Sequence, residues 1–312
     1  MRYFLILNLA LLIIIVPTCL FAFDLTEVAS GAASLGMGGI TAVLPEDTFS
    51  FNNNPAGLAF VEKNTLSSMY GTLMGSNYLV AGGIIPLWGN IRVAVSYSNL
   101  SSESIPYADS VDEQGHPLNI RNISYSSSVI SASTAVVIKE FIVRDIALGF
   151  RGKYFFDNFS GLTANAKAIN FDIGGATRIN QNITFGLIIK NALPAQAKGS
   201  LSWNDGIKED INNCIIAGLG YSTPGDKIFL GADARYSRGY PITYNVGTQY
   251  ALTDNIALRA GLAQTQNLAS TKFNWSAGLG LNFSGIFFDY AYHTYGDEPE
   301  NNTHYFSLGV IF

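Results

Sequence analysis

From about residue 65 to the C-terminus, hydrophobic positions recur at every second residue rather than at the 3.6-residue spacing of a helix. Ile91, Val93, Val95 and Tyr97 alternate with Arg92, Ala94 and Ser96. Ile146, Leu148, Phe150 and Tyr154 alternate with Ala147, Gly149, Arg151 and Lys153. Near the end, Phe273, Trp275, Ala277, Leu279, Leu281 and Phe283 alternate with Asn274, Ser276, Gly278, Gly280 and Asn282. One face is apolar and the other is small or polar, which is the pattern of a strand with two unlike environments. A soluble sandwich shows the same alternation, so the pattern alone does not say which face is wet. The count of strands narrows the choice. Period-two segments fall near 65–74, 77–86, 89–98, 121–137, 141–155, 163–177, 181–191, 212–222, 226–237, 242–252, 254–264, 271–283, 286–295 and 303–312. Fourteen is an even number, as closed bacterial barrels require. Tight turns such as Thr223-Pro224-Gly225, Thr253-Asp254 and Ser284-Gly285 alternate with longer polar connections at 99–120, 191–211, 265–270 and 296–302. The prediction is an all-β, 14-stranded antiparallel outer-membrane β-barrel, with the short turns on one rim and the long loops on the other.

Composition supports lipid rather than water outside the strands. Of 312 residues, 48% are hydrophobic and only 13% are charged, against about a quarter in a soluble domain. Yet no uninterrupted apolar run beyond residue 23 reaches the length of a spanning helix. A membrane barrel reconciles the two, because only alternate residues face lipid. A net charge of −5 with 18 Lys plus Arg leaves no basic footprint for nucleic acid. The first 22 residues have the layout of a secretory signal: Arg2, an apolar core from Phe4 to Val16, then Pro17 and a small-residue end at Ala22. Cleavage is expected near Ala22, with lipidation at Cys19 as the alternative. Cys214 is the remaining cysteine, so the exported chain would carry no disulfide. The expected organisation is a signal peptide at 1–22, a separate segment at 23–64 and the barrel at 65–312.

Residues 23–64 break the alternation. They hold Gly31-Ala-Ala-Ser-Leu-Gly-Met-Gly-Gly39, then Glu46-Asp47, then Asn54-Pro-Ala-Gly-Leu-Ala59. The glycine run lacks the Lys-Ser/Thr of a phosphate-binding loop and the strand and helix of a dinucleotide fingerprint. Small residues at this density let a backbone pack closely against a wall, as a plug inside a barrel would. These motifs resemble the opening of the PorV/PorQ family and, more distantly, that of FadL-type transporters of hydrophobic compounds, whose N-terminal hatch carries an Asn-Pro-Ala. The resemblance implies a barrel closed by a hatch and passage coupled to hatch rearrangement. On matching positions it assigns Asn54, Pro55, Ala56 and Gly57 to the hatch turn, and Gly36, Gly38 and Gly39 to its close packing. Pro55 holds Asn54 out of the helical region, which frees the Asn54 amide to cap the turn or bond to the wall. An ordinary Asn-Pro turn ahead of the first strand is the plainer alternative.

If the apolar faces meet lipid, the inward set includes Arg92, Arg151, Lys153, Asp172, Lys190, Asp233, Arg235, Asn245, Gln249, Arg259, Asp289 and His293. These charges either pair across the lumen and pin the hatch, or give a ligand carboxylate a dock. Arg151, Lys153, Arg235 and Arg259 are the candidate head-group residues. Trp203, in the 191–211 connection, is the candidate lid or contact residue. On the last strand, Phe306, Leu308, Val310 and the terminal Phe312 share a face with His304 and resemble the signal read by the barrel-assembly machinery. Catalysis has little footing. His293 and His304 fall on opposite faces, no nucleophile elbow is present, and no metal or other cofactor is expected. The chain is expected in the bacterial outer membrane, in contact with the bilayer and with a small hydrophobic ligand or an exported protein. Its expected function is non-enzymatic: hatch-gated passage of hydrophobic or amphipathic, fatty-acid-like molecules. The alternatives are a role in protein secretion or surface assembly, and a structural or adhesive role.

Overall fold

The computed structural model describes residues 21–44, 47–141, 144–194, 199–264, 272–295 and 302–312. Fourteen strands form the wall: β1 Thr65–Leu73, β2 Ser76–Pro86, β3 Ile91–Val111, β4 Pro117–Phe141, β5 Arg144–Ser160, β6 Asn165–Arg178 and β7 Ile183–Lys190. They continue with β8 Cys214–Ser222, β9 Ile228–Ser237, β10 Thr243–Thr253, β11 Ile256–Gln264, β12 Phe273–Phe283, β13 Ile286–His293 and β14 Thr303–Ile311. Each strand pairs antiparallel with the next, and β14 pairs antiparallel with β1 from Tyr305↔Gly71 to Ile311↔Thr65. The sheet is closed, so no backbone edge is left open within the wall.

Burial decides which face is wet. Val95 is 67% exposed and its neighbour Ser96 is 6% exposed; Phe150 is 46% exposed while Arg151 is 0%. The apolar face points outward all round the barrel and the polar face points in, the reverse of a soluble sandwich and the arrangement of a barrel that sits in lipid. On β14, Phe306 and Leu308 belong to this outward face, and Phe312 ends the chain exposed at the rim.

The wall is unequal in height. β3, β4, β5 and β6 run for 21, 25, 17 and 14 residues, whereas β7 and β13 have 8. About 9–11 residues suffice to cross a bilayer, so β3–β6 rise well beyond it on one side. This corrects the expectation of a loop at 99–120. Most of that stretch is strand, with a bulge between Ser102 and Ile105 and a tight tip at residues 112–116. Beyond the lipid both strand faces meet water, so alternation fades while the hydrogen-bond ladder continues. The outer rim also holds a two-residue turn at Met74 and Gly75, so connection length alone does not distinguish the rims. The connection after β7 is not a plain loop. It contains a hairpin, Ser200–Trp203 with Lys208–Ile211, that pairs with the outer part of β6 at Ala166↔Trp203 and Lys167↔Ser202. It covers the part of β6 that short β7 does not reach. The predicted signal peptide core and most of the 265–270 and 296–302 connections lie outside the described residues.

Residues 24–44 and 47–61 run inside the wall. They form a 3₁₀ turn at Leu25–Glu27, a short helix α1 at Ala32–Gly36 and a second 3₁₀ turn at Pro55–Phe60. Leu25, Ile40, Phe51 and Leu58 are fully buried there. The chain enters at the long-loop end, where Phe21 and Ala22 pair in parallel with Asp210 and Ile211. It leaves at the short-turn end, where Phe312 N–H donates to Asn64 O just before β1. The approach to the wall is backbone on backbone. A Cβ at Gly261 would lie 2.1 Å from Gly38 N, and one at Gly247 would lie 2.2 Å from Met37 O. Gly247 and Gly261 face each other in the β10–β11 ladder, so they form one bare patch. Gly149 and Gly174, paired on β5 and β6, make a second one under Asn54 and Pro55.

Candidate lumen site

The inner segment is held in two ways. At its start, the Asp24 side chain caps the 3₁₀ turn, its Oδ1 accepting from Thr26 N (2.8 Å) and Thr26 Oγ1 (2.7 Å). Its other oxygen accepts from Lys153 Nζ (2.9 Å) and Asn191 Nδ2 (2.8 Å). Lys153 lies on β5 two residues after Arg151, so strand alternation places both cations on the lumen face. Lys153 also pairs with Asp172 Oδ1 at 2.9 Å. Arg151 grips Asp172 with two nitrogens, the Nε at 2.7 Å, and donates Nη1 to Phe51 O at 2.8 Å. At the end of β7, Lys190 Nζ donates to Thr26 O (2.6 Å), and Asn191 turns the chain inward at φ +56°. Arg235 on β9 reaches Glu27 Oε2 (3.6 Å) and donates to Glu27 O (2.9 Å). Arg151, Lys153, Asp172 and Lys190 are all buried, where unpaired charge is costly and paired charge is strongly oriented. Burial by itself would raise the Asp24 carboxyl, but Lys153 and the hydrogen bonds from Thr26 and Asn191 hold it below the ordinary carboxylate range. For Glu27, burial outweighs the pull of Arg235 and moves its carboxyl up.

Further along, backbone and amide contacts take over. Asp233 Oδ2 accepts from Thr41 N (2.6 Å) and Ala42 N (3.1 Å). Ser276 Oγ accepts from Gly38 N (2.9 Å) and donates to Gly36 O (3.1 Å). Asn54 Oδ1 accepts from Ala56 N (3.0 Å), while its Nδ2 donates to Ala42 O (3.0 Å) and Gly175 O (3.4 Å). Asn54 thus caps its own turn and ties it to both the inner chain and the wall. Gly57 lies against Ser50, and Gly39 O accepts from Asn245 Nδ2 at 3.3 Å.

Below the inner segment lies a cavity of about 670 Å³ that reaches the short-turn rim at Arg178, Asn182, Asp226 and Asn255. Its walls mix apolar side chains, among them Met37, Val43, Phe49 and Phe229, with Arg259, Gln249 and Asp289. Arg259 donates Nε to Gln249 Oε1 (2.7 Å) and pairs through Nη1 with Asp289 Oδ1 (2.5 Å).

The four cations singled out in the sequence therefore do not form one cluster. Arg151, Lys153 and Arg235 surround the N-terminal clamp, while Arg259 lines the cavity at the other end. Trp203 stands apart from all of them, on the loop hairpin: its ring stacks on Phe159 with centroids 5.9 Å apart, and its Nε1 donates to Glu209. His293 is buried, while His304 faces outward and bonds to Tyr290 OH at 2.7 Å. Among the described residues no three His, Cys, Asp or Glu side chains are grouped to hold a metal. Sequence reasoning passed over Asp24, Glu27 and Asn191 as site residues. The available signal was an acidic cap, Asp-Leu-Thr-Glu, directly after the expected cleavage point.

No protein-family model matches the sequence, and no curated protein matches it. Solved structures do. The CymD monoaromatic hydrocarbon channel aligns with a TM-score of 0.65 at 14% identity, covering 93% of this chain and 99% of that one. The Pseudomonas putida toluene transporter TodX gives 0.58 at 12% identity over 94% and 98%. A Pseudomonas aeruginosa FadL homologue gives 0.57 at 12% identity over 94% and 99%. The chain has the fold of the FadL-like outer-membrane barrels. The described residues are similar in architecture, over nearly their whole length, to channels of that group.

Proposed function

We propose that this protein is an outer-membrane channel for small hydrophobic or amphipathic molecules, and that residues 23–64 are its hatch. The observation that carries this is the course of the inner segment. It crosses the lumen, closes it above a cavity open to the short-turn side, and is seated on bare glycine patches rather than woven into the wall. A closed wall leaves a solute the lumen as its route, and the hatch is what stands in it. The fold shared with hydrocarbon channels supports the same view. The exported, signal-bearing N-terminus and the aromatic C-terminal strand with Phe306, Leu308, Val310 and Phe312 suit delivery through the barrel-assembly machinery to the outer membrane.

A tether tests the hatch. A Cβ built on Gly36 lies 3.6 Å from Ala291 Cβ, within disulfide range. In a Cys214→Ala background, Gly36→Cys with Ala291→Cys should block uptake of toluene or decanoate into proteoliposomes when oxidised and restore it when reduced. Equal uptake in both redox states, with the disulfide confirmed, would remove the hatch role. A secretion role of the PorV kind is the second reading, favoured by the tall β3–β6 sheet, which offers a protein-sized surface beyond the lipid. Trp203→Ala that leaves uptake unchanged but loses capture of an exported partner would favour it.

A further inference from the structure

We infer that the outward face at β7 and β8 docks a phosphorylated glycolipid of the outer leaflet, with Lys167, Lys208 and Arg238 on its phosphates and Leu187, Ile215 and Leu219 under its acyl chains. The inference uses the place of the barrel in an outer membrane and is independent of what passes through the lumen.

Two of the cations follow directly on the apolar band of the wall. On β6 the outward side chains run through the exposed Ile173 and Ile169 to Lys167 as the strand nears the long-loop rim. On β9 the exposed Leu230 and Tyr236 lead to Arg238 on the same face. A tyrosine in such a row marks the level of the lipid headgroups. The loop hairpin supplies the third cation. Ser202 pairs with Lys167 on one side and with Lys208 on the other, so the two lysines stand in one row, about 10 Å apart over two strand spacings. Lys167, Lys208 and Arg238 are exposed, and none has a carboxylate within ion-pair distance among the described residues. Nearby acids are turned elsewhere. Glu209 accepts from Trp203 Nε1 and Asp205 from Ile207 N, while Asp210, exposed two residues past Lys208, forms no ion pair. In the lumen, by contrast, Arg151, Lys153, Arg235 and Arg259 all have carboxylate partners.

Between these cations the wall is short. β7 has 8 residues and β8 has 9, and Leu187, Ile215 and Leu219 point outward from them. An acyl chain lying on this bed carries its headgroup up to the row of Lys167 and Lys208. Cations held side by side repel unless an anion comes between them, and at the bilayer border the abundant anion is phosphate. The charges are spread from β6 to β9, about 14 Å along the sheet. That spread suits a headgroup with phosphate at more than one point better than the single phosphate of a phospholipid. The exposed Ser202 hydroxyl, between the two lysines, is placed for sugar.

The test titrates the full-length protein, purified in a non-ionic detergent, with bisphosphorylated lipid A, its phosphate-free form and phosphatidylglycerol, and reads bound lipid by native mass spectrometry. Wild type should bind the bisphosphorylated lipid at least about tenfold more tightly than the other two. Lys208→Gln alone should weaken that binding about fivefold, and Lys167→Gln with Lys208→Gln about thirtyfold. Lys227→Gln, at an exposed lysine on the opposite rim, should leave it unchanged. Heat-dependent gel mobility confirms a folded barrel in each variant. Equal binding of the phosphorylated and phosphate-free forms, or an unaltered double variant, would overturn the inference. So would phosphatidylglycerol bound as tightly as lipid A, which would make the surface a general anionic-lipid contact, or an equal loss in Lys227→Gln.

Discussion

The two ends of the inner segment are held by different physics. Residues 24–28 are held by charge: Asp24 and Glu27 against Lys153, Arg235 and the neighbouring Lys190. Residues 36–39 and 54–57 are held by shape, with Gly38 and Met37 laid on Gly261 and Gly247, and Asn54 and Pro55 on Gly174 and Gly149. A charge contact can be replaced by any anion that reaches it. A backbone-on-backbone seat has no small-molecule equivalent, since nothing but the same chain fills it. The first end is therefore the one a solute can release, and the second follows only when the chain itself lifts off the wall.

Substitutions can break this contrast in order of size. Arg151→Ala leaves Asp172 buried with one of its two cations gone, and should cost about 3–5 kcal/mol. The barrel should lose its heat-resistant gel mobility at a markedly lower temperature than wild type. An unchanged midpoint would mean that the charge cluster does not hold the wall. Gly261→Val should act on the seat rather than the wall, because its side chain meets Gly38 from inside the lumen. Overpacking of about 1–3 kcal/mol should drive residues 36–39 off the wall and raise leakage of a neutral sugar from proteoliposomes. If leakage stays at the wild-type level, the glycine patches are not the seat. Asn54→Ala removes the cap on the second 3₁₀ turn and its tie to the wall, and should cost about 1 kcal/mol. Hydrogen exchange at Ala56 should speed up while exchange at Thr26 stays as it was. Arg121→Ala, at the exposed pair with Asp109 on the tall sheet, should change stability by less than about 1 kcal/mol. It serves as the control outside both ends.

The wall could be read from the sequence because lipid and lumen impose opposite demands on adjacent residues. That demand marks all fourteen strands, including short ones such as β7 and β13. It stops at the membrane boundary, which is why residues 99–120 read as a loop: Ser101 and Ser102 continue the ladder opposite Ser126 and Tyr125 with no run of apolar residues on one face. The inward cations were visible by parity, but their partners were not. Lys153 meets Asp24 across most of the first half of the chain, and no spacing rule links a strand lysine to an N-terminal cap. Gly149 is legible in the sequence as a small inward residue, and Gly174, Gly247 and Gly261 join it only once the strands are paired. What lies against them follows only from where residues 36–39 and 54–57 sit in the lumen.

The position of the β14–β1 seam bears on how the molecule is made. β1 follows the inner segment directly, and β14 comes after the other thirteen wall strands in sequence, so the barrel closes between elements more than 200 residues apart. Contacts this distant in sequence form late. The glycine patches on β5–β6 and β10–β11 need the inner chain laid against them with no room to slide in afterwards. Residues 24–44 and 47–61 must then be gathered between the growing strands before the seam zips. Closure seals them in, and an open sheet with an empty interior is the intermediate that this order avoids.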